Sequence, residues 1–316
     1  MRRPPLAVGE GTLMKTAAFH SFGGPEMLEV VDVATPEAGP GQVRVRVAAA
    51  GVQAYDCAVR AGWTPPGATL TFPQTVGNDF AGVVDQVGAD VTGIAVGDEV
   101  LGWALLSCYA EQLVVPVGQI VAKPTAMSWD AAGAFSASAQ TAHTALQALR
   151  VGAGDTVLIH AAAGGVGTLA VQLARLWGAT VVGTASLRNH DYLRSLGAVP
   201  TEYGHGLVER VQALAPGGVT AALDAIGGAA LDASVKLVAD PDRIGTLVDF
   251  DRVEQFGVRA IFSQRSRDRL AELVALYNGG ELRIEVSGRY LLHRAAEAHR
   301  EMESGHVRGK IVINPS

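Results

Sequence analysis

The apolar pattern of the chain changes character once, near residue 125. Before it, QVRVRVAAAG at 42–51, AGVVDQVG at 81–88 and AEQLVVP at 110–116 carry the alternation and β-branched content of short strands. KTAAFHSFG at 15–23, EMLEVVDV at 26–33 and DEVLGW at 98–103 read the same way, with Gly-Pro and Gly-Asp punctuation between them. An all-β module is expected from Met14 to about Pro124. Residues 128–149 are alanine-rich and predict a helix. Apolar strands and amphipathic helices then alternate: strands at 155–162, 179–186, near Val199, at 221–226 and at 243–250, with helices between them. That alternation predicts a doubly wound parallel sheet with helices on both faces. The tail adds a helix at 267–278, a strand at 282–290, a helix at 295–303 and a last strand at 310–314.

The most informative stretch is DTVLIHAAAGGVGTLAVQLARL at 155–176. A buried strand runs into a glycine turn and then into a helix whose apolar positions are Val166, Leu169, Ala170, Leu173 and Leu176. Gly164 and Gly167 stand at the second and third glycines of a dinucleotide fingerprint, and Ala162 at the first. A pyrophosphate approaches backbone only where no Cβ intervenes, and a helix start offers free N–H groups to its charge. Gly164 and Gly165 allow that approach, and Gly167 lets the helix pack on the strand. The following strand completes a βαβ unit, the context such a fingerprint requires.

The 316 residues suffice for two domains; 48% of them are hydrophobic and 18% charged, as in a soluble globular protein. A formal charge of −6 and a pI near 5.8 argue against nucleic-acid binding, and no apolar run reaches membrane-spanning length. The start, MRRPPLAVGEGTLMK, lacks the apolar core of a signal peptide, so residues 1–13 are read as a flexible extension and the cytoplasm as the default location. Cys57 and Cys108 are too few for a four-thiolate zinc site and are expected to be free thiols in a reducing compartment.

Taken in order, several short motifs carry a family resemblance. They are Gly-Pro-Gly-Gln at 39–42, AAAGVQAYD at 48–56, PQTVGNDFAGVV at 73–84, GDEV at 97–100 and AAAGGVGTLAVQLA at 161–174. GTAS at 183–186, LGA at 196–198 and GHVRGKIVI at 305–313 complete the set. From Met14 onward the chain resembles the medium-chain dehydrogenase/reductase superfamily, in its zinc-free quinone oxidoreductase and enoyl reductase branch. The resemblance implies an α/β chain in two parts. Residues 14–136 and 265–316 would form a GroES-like β domain, and residues 137–264 an inserted Rossmann domain binding NADPH, with the active site in the cleft. A homodimer is implied by resemblance alone.

Zinc-dependent relatives place Cys where Gln53 stands and a His–Glu pair where Asn78 and Asp79 stand. Amides are poor zinc ligands, and 136–140 supplies no further Cys, so no catalytic metal is expected. NAD-selective relatives end the second strand with an acid that holds the ribose 2′-hydroxyl and repels a 2′-phosphate. Here that strand ends Thr184-Ala185-Ser186, with Arg188 just beyond; Ser186 can donate a hydrogen bond and Arg188 can pair with phosphate, so NADPH is the expected cofactor. The cofactor set is then Thr141, Ala163, Gly164, Gly165, Val166, Gly167, Thr184, Ser186, Arg188, Ile226, Val248 and Phe250.

In this branch a hydride passes to a quinone or an α,β-unsaturated carbonyl, and a donor must stabilise the charge gained by the carbonyl oxygen. Gln53, Tyr55 and Asn78 are the candidate catalytic donors. Relatives usually carry Asn where Gln53 stands and often Tyr where Thr64 stands; here Trp63 adjoins Thr64, and Tyr55 is the substitute donor or a packing residue. Asp56 is read as orienting its loop, and His143 as packing within its helix with proton donation the alternative. Arg259, Arg265, Arg267 and Arg269 are read as a solvated basic face, with contact to a phosphate-bearing acyl thioester the alternative. The competing functions are an enoyl-thioester reductase of a biosynthetic pathway and a low-turnover NADPH-binding structural or sensor protein.

Overall fold

The computed structural model describes residues 12–315, so the extension read at 1–13 lies outside the described residues as far as residue 11. The first strand begins one residue before Met14. β1 (Leu13–Phe19), β2 (Glu29–Ala34), β3 (Gln42–Val52), α1 (Ala54–Arg60), β4 (Gln74–Thr75), β5 (Phe80–Val87), β6 (Glu99–Gly102), β7 (Gln112–Pro116) and β8 (Ile120–Ala122) follow in order. β1 lies between β2 and β4 in a three-stranded sheet. β3 is the spine of a larger sheet, because Val43, Val45 and Val47 point into the core while Arg44 and Arg46 alternate outward. One side of β3 pairs with β5; the other takes β7 at residues 42–46 and the returning C-terminal strand at residues 50–52.

The all-β expectation missed α1. Gln53 and Asp56 form a reciprocal capping box there, and Asp56, Cys57, Val59 and Arg60 are buried. A short helix capped by side chains carries too little apolar periodicity to show in the sequence.

α2 (Trp129–Ala148) starts at Ser128, whose hydroxyl accepts from Ala131 N–H at 3.2 Å. Its small residues let it pack against β3 and β5 on one side and the nucleotide fold on the other; a Cβ on Gly133 would stand 2.5 Å from the Ala49 carbonyl. The division expected between residues 136 and 137 falls inside this helix.

β9 (Thr156–Ile159), α3 (Gly165–Leu176), β10 (Thr180–Thr184), α4 (His190–Ser195), β11 (Val199–Thr201), α5 (Leu207–Leu214), β12 (Ala221–Asp224), α6 (Ala229–Leu237), β13 (Ile244–Thr246), α7 (Val253–Phe256) and β14 (Arg259–Ala260) come next. The six strands are parallel, in the order β11-β10-β9-β12-β13-β14. The order reverses between β9 and β12, and ligands of such sheets bind at the carboxyl ends of the strands flanking that point. α8 (Arg267–Asn278), β15 (Val286–Leu291), α9 (Ala295–Glu303) and β16 (Lys310–Asn314) close the chain, β16 pairing with β3. The fold is the expected one: a GroES-like β part and a Rossmann-like parallel sheet. The predicted strand at 282–290 starts later, since Leu282 is buried from a loop.

Candidate active site

The glycine turn leaves β9 at the reversal point. Ala161 adopts φ +50° and donates its N–H to the Thr184 hydroxyl at 3.2 Å, which pins the turn to β10. α3 then begins with no capping side chain and no acid in its first turn. A parallel bridge between Gly164 and Gly309 turns the Gly165 N–H toward the Gly309 carbonyl, while among the described residues the N–H groups of Val166 and Gly167 find no protein acceptor. Two free donors at the positive end of a twelve-residue helix are a fitting cradle for a pyrophosphate.

The three glycines of the turn do different things. A Cβ on Gly164 would meet only the Ala161 carbonyl, at 3.3 Å. At Gly167 it would lie 2.3 Å from that same oxygen, so this glycine serves helix–strand packing. At Gly165 it would strike the Lys310 side chain at 2.6 Å and Ser138 at 3.0 Å. Gly165 therefore makes room for the returning C-terminal strand as well as for a ligand.

The other cofactor candidates divide by exposure. Thr184 is buried beneath the turn and supports it rather than facing solvent. Ala163 is also buried, its carbonyl accepting from Gly309 N–H at 2.8 Å. Ser186 is half-buried at the end of β10, accepting from Asn189 at 3.3 Å, and exposed Arg188 donates to the His306 carbonyl at 2.7 Å. Ile226 and Val248 are exposed after β12 and β13, and Phe250 stacks on Phe262 with ring centroids 4.8 Å apart. Thr141 is half-buried on α2.

Beneath the strand ends lies a polar network that sequence reading missed. His160 Nε2 meets Ser234 Oγ at 3.0 Å, and burial drives its pKa down to about 4, so the ring is neutral. Asp224 accepts from the N–H groups of Ile226 and Gly227 at 3.0 and 2.8 Å and from the Thr246 hydroxyl at 2.8 Å, shaping the loop that carries Ile226.

The acceptor side is built around two buried carboxylates. Asp56 accepts from Gln53 N–H at 3.0 Å, Gly77 N–H at 3.2 Å, the Asn78 amide at 2.8 Å and the Tyr109 hydroxyl at 3.0 Å. Burial, and then the charge of Asp79, push its pKa up to about 7. Asp79 accepts from Gln53 Nε2 at 2.6 Å and from Ala137 N–H at 3.1 Å, which ties Gln53 to α2. Lys310 is buried beside them, its Nζ donating to the Val52 carbonyl at 2.9 Å; burial holds its pKa below the usual range, against the pull of Asp79 and Asp56.

The candidate donors thus separate. Asn78 is buried, one amide hydrogen committed to Asp56 and its Oδ1 unpartnered among the described residues, so it braces the cleft floor rather than presenting a donor to it. Gln53 is half-buried, with one N–H held by Asp79 and the other left over. Tyr55 is half-buried with its ring edge-on to exposed Trp63, centroids 5.2 Å apart. Burial, then Asp56, raise its phenol pKa, and Arg265 opposes them.

The arginine cluster does not act as one face. Arg259 donates to the Asp242 carbonyl at 2.8 Å, and Arg269 donates to His143 Nδ1 at 3.0 Å. His143 is buried edge-on to Trp177, so it is a packed acceptor of that bond. Arg267 is exposed, and only Arg265 turns across the cleft, Nη1 reaching the Asn78 carbonyl at 3.4 Å. No local signal marks Arg265, whose partner lies 187 residues earlier. At the zinc-ligand positions stand two amides and a carboxylate bonded to one of them, and among the described residues no three His, Cys, Asp or Glu side chains converge as a metal site.

A dinucleotide turn facing a polar acceptor cleft defines a nicotinamide-dependent oxidoreductase. The comparisons give the family. Residues 39–125 match the alcohol dehydrogenase GroES-like domain and residues 197–313 the zinc-binding dehydrogenase domain. The quinone oxidoreductase of Pseudomonas aeruginosa is 33% identical, over 96% of this chain and 100% of its own. The solved quinone oxidoreductase of Coxiella burnetii superposes with a TM-score of 0.87 at 34% identity, over 96% of this chain and 100% of its own. A mycobacterial protein solved with NADPH gives 0.85 at 29% identity, over the same shares. The chain belongs to the medium-chain dehydrogenase/reductase superfamily, in its zinc-free quinone oxidoreductase branch, and is an oxidoreductase of that family.

Proposed function

We propose that the chain is an NADPH-dependent, zinc-independent reductase that delivers hydride to a quinone or an α,β-unsaturated carbonyl. The observation carrying this reading is the uncapped, acid-free start of α3 at the sheet's reversal point, followed at the end of β10 by Ser186 and Arg188 with no acid. Gly164 to Gly167 would hold the pyrophosphate, Ser186 and Arg188 the 2′-phosphate, and Thr141, Ile226, Val248 and Phe250 the walls of the nicotinamide site. When bound, the nicotinamide supplies the hydride. Gln53 and Tyr55 would hydrogen-bond the acceptor oxygen, and Asp79 keeps the Gln53 amide turned for that role. Asn78, offered at first as a third donor, is proposed instead to position Asp56.

Residues 14–136 and 265–316 serve in this reading as the catalytic part and 137–264 as the cofactor part. We take the protein to be a cytoplasmic homodimer: Cys57 and Cys108 are free thiols, and among the described residues β14 is an edge strand paired only with β13. Among the described residues no helix is long and apolar enough to cross a membrane.

The test is oxidation of NADPH and NADH with a panel of quinones, alkenals and enoyl thioesters, after dialysis against a chelator. Turnover that prefers NADPH and survives chelation supports the reading. Chelator-abolished turnover, or tight NADPH binding with no acceptor reduced, overturns it.

A further inference from the structure

Arg265 is the first residue after the cofactor part, and its side chain reaches to the acceptor wall. Its backbone is strapped to α2 on either side of Thr141. Gln264 N–H donates to the Thr144 hydroxyl at 3.2 Å, and Ser266 N–H donates to Gln140 Oε1 at 2.8 Å. Gln140 is itself buried and held by Ser136 Oγ at 3.1 Å, so the strap has a rigid anchor. Between these two bonds the Arg265 side chain crosses to the Asn78 carbonyl. Among the described residues it has no carboxylate within salt-bridge distance, and that carbonyl is its one hydrogen-bond partner. A guanidinium has five N–H donors, so most of them are uncommitted. The bond to Asn78 sets the guanidinium beside the acceptor-side residues, where its charge opposes the rise in the half-buried Tyr55 phenol pKa and adds to the lowering at buried Lys310.

We propose that Arg265 is a catalytic residue that hydrogen-bonds the acceptor's carbonyl oxygen, beside Tyr55. This rests on the reductase reading and deepens it. When hydride adds to the electron-poor carbon, the C=C electron pair moves so that the negative charge collects on that oxygen as an enolate or hydroquinone anion. A proton from water then neutralises it, at oxygen or at the α-carbon. A fixed cation facing the oxygen favours this charged state over the neutral carbonyl, which is the differential binding that lowers a barrier. Gln53 and Tyr55 are neutral donors; Arg265 supplies the full charge.

The experiment uses the full chain and the variants Arg265→Ala and Arg265→Lys. The first readout needs no turnover: titration of 4-nitrophenol, whose phenolate mimics the charged oxygen, followed by its absorbance. Wild type is expected to bind the phenolate and lower the phenol's apparent pKa, and Arg265→Ala to lose that shift. The second readout is kcat/KM for the best acceptor, expected to fall roughly 100-fold in Arg265→Ala, as for loss of an oxyanion donor. NADPH affinity should stay within about twofold, and millimolar guanidinium should restore part of the lost rate in the alanine variant only, an effect a purely structural role does not produce. Active wild type with Arg265→Ala unimpaired in both readouts overturns the assignment alone. Wild type inactive on every carbonyl acceptor overturns the reductase reading and this assignment with it.

Discussion

The two walls of the cleft are made of different material. The pyrophosphate cradle on the cofactor side is backbone, a turn and a helix start with no capping side chain. The acceptor wall is side chains: Gln53 leaning on Asp79, Asn78 on Asp56, and Arg265 reaching from the far side of the chain. A backbone site tolerates change in everything except the absence of a Cβ. A side-chain site depends on each partner's charge state, so its failures should be electrostatic.

The largest expected effect follows from that difference. Asp79→Ala leaves Gln53 Nε2 and the Ala137 N–H without their acceptor, and each donor so orphaned in a buried setting costs about 1–3 kcal/mol. Denaturant unfolding would register it; a loss below about 1 kcal/mol, the range of an exposed ion pair, would mean the acceptor wall is not electrostatically built. Gly167→Val comes next, because its Cβ would overlap the Ala161 carbonyl. Overpacking of this kind costs about 1–3 kcal/mol and should lower Tm, whatever happens to cofactor binding.

Asp56 sharpens the comparison through pH. The folded chain keeps its proton up to about 7, whereas the unfolded chain releases it near 3.8. The native state therefore binds more protons within that window. The stability this group contributes is fully present below about 4 and is lost as pH rises through about 7. Asp56→Asn should flatten that slope in unfolding curves collected from pH 4 to 8; an unchanged slope would place the carboxylate in a less buried setting.

The smallest effect belongs to the 2′-phosphate. Arg188 is exposed, so Arg188→Ala should weaken NADPH by about 1 kcal/mol, roughly fivefold, and leave NADH unchanged. Equal weakening of both would argue that Arg188 acts through His306 rather than through a phosphate.

The same division explains what the sequence disclosed. The parallel sheet, its reversal and the glycine turn were legible because they follow from periodicity and from residues adjacent in the chain. The roles of Asn78 and Arg265 were not. Asn78 looked like a cleft donor because its motif position is conspicuous, yet its amide is committed to Asp56, 22 residues away. Arg265 looked like one member of a solvated run, and only tertiary structure separates it from Arg259 and Arg269. α1 escaped because its start is a capping box built on Gln53, a residue first weighed as a catalytic donor. Gly165 was legible in part, for its second neighbour, Lys310, lies at the other end of the chain.

The central claim is that the start of α3 binds the cofactor through its backbone. The most direct test is calorimetric titration of NADPH into wild type and Gly164→Val, with Tm measured on both. A valine Cβ there stands 3.3 Å from the Ala161 carbonyl, a far looser contact than at Gly167, and intrudes on the cradle, so the account predicts at least about tenfold weaker binding, roughly 1.4 kcal/mol, with a smaller fall in Tm than for Gly167→Val. Undiminished NADPH affinity in a folded Gly164→Val protein would contradict it.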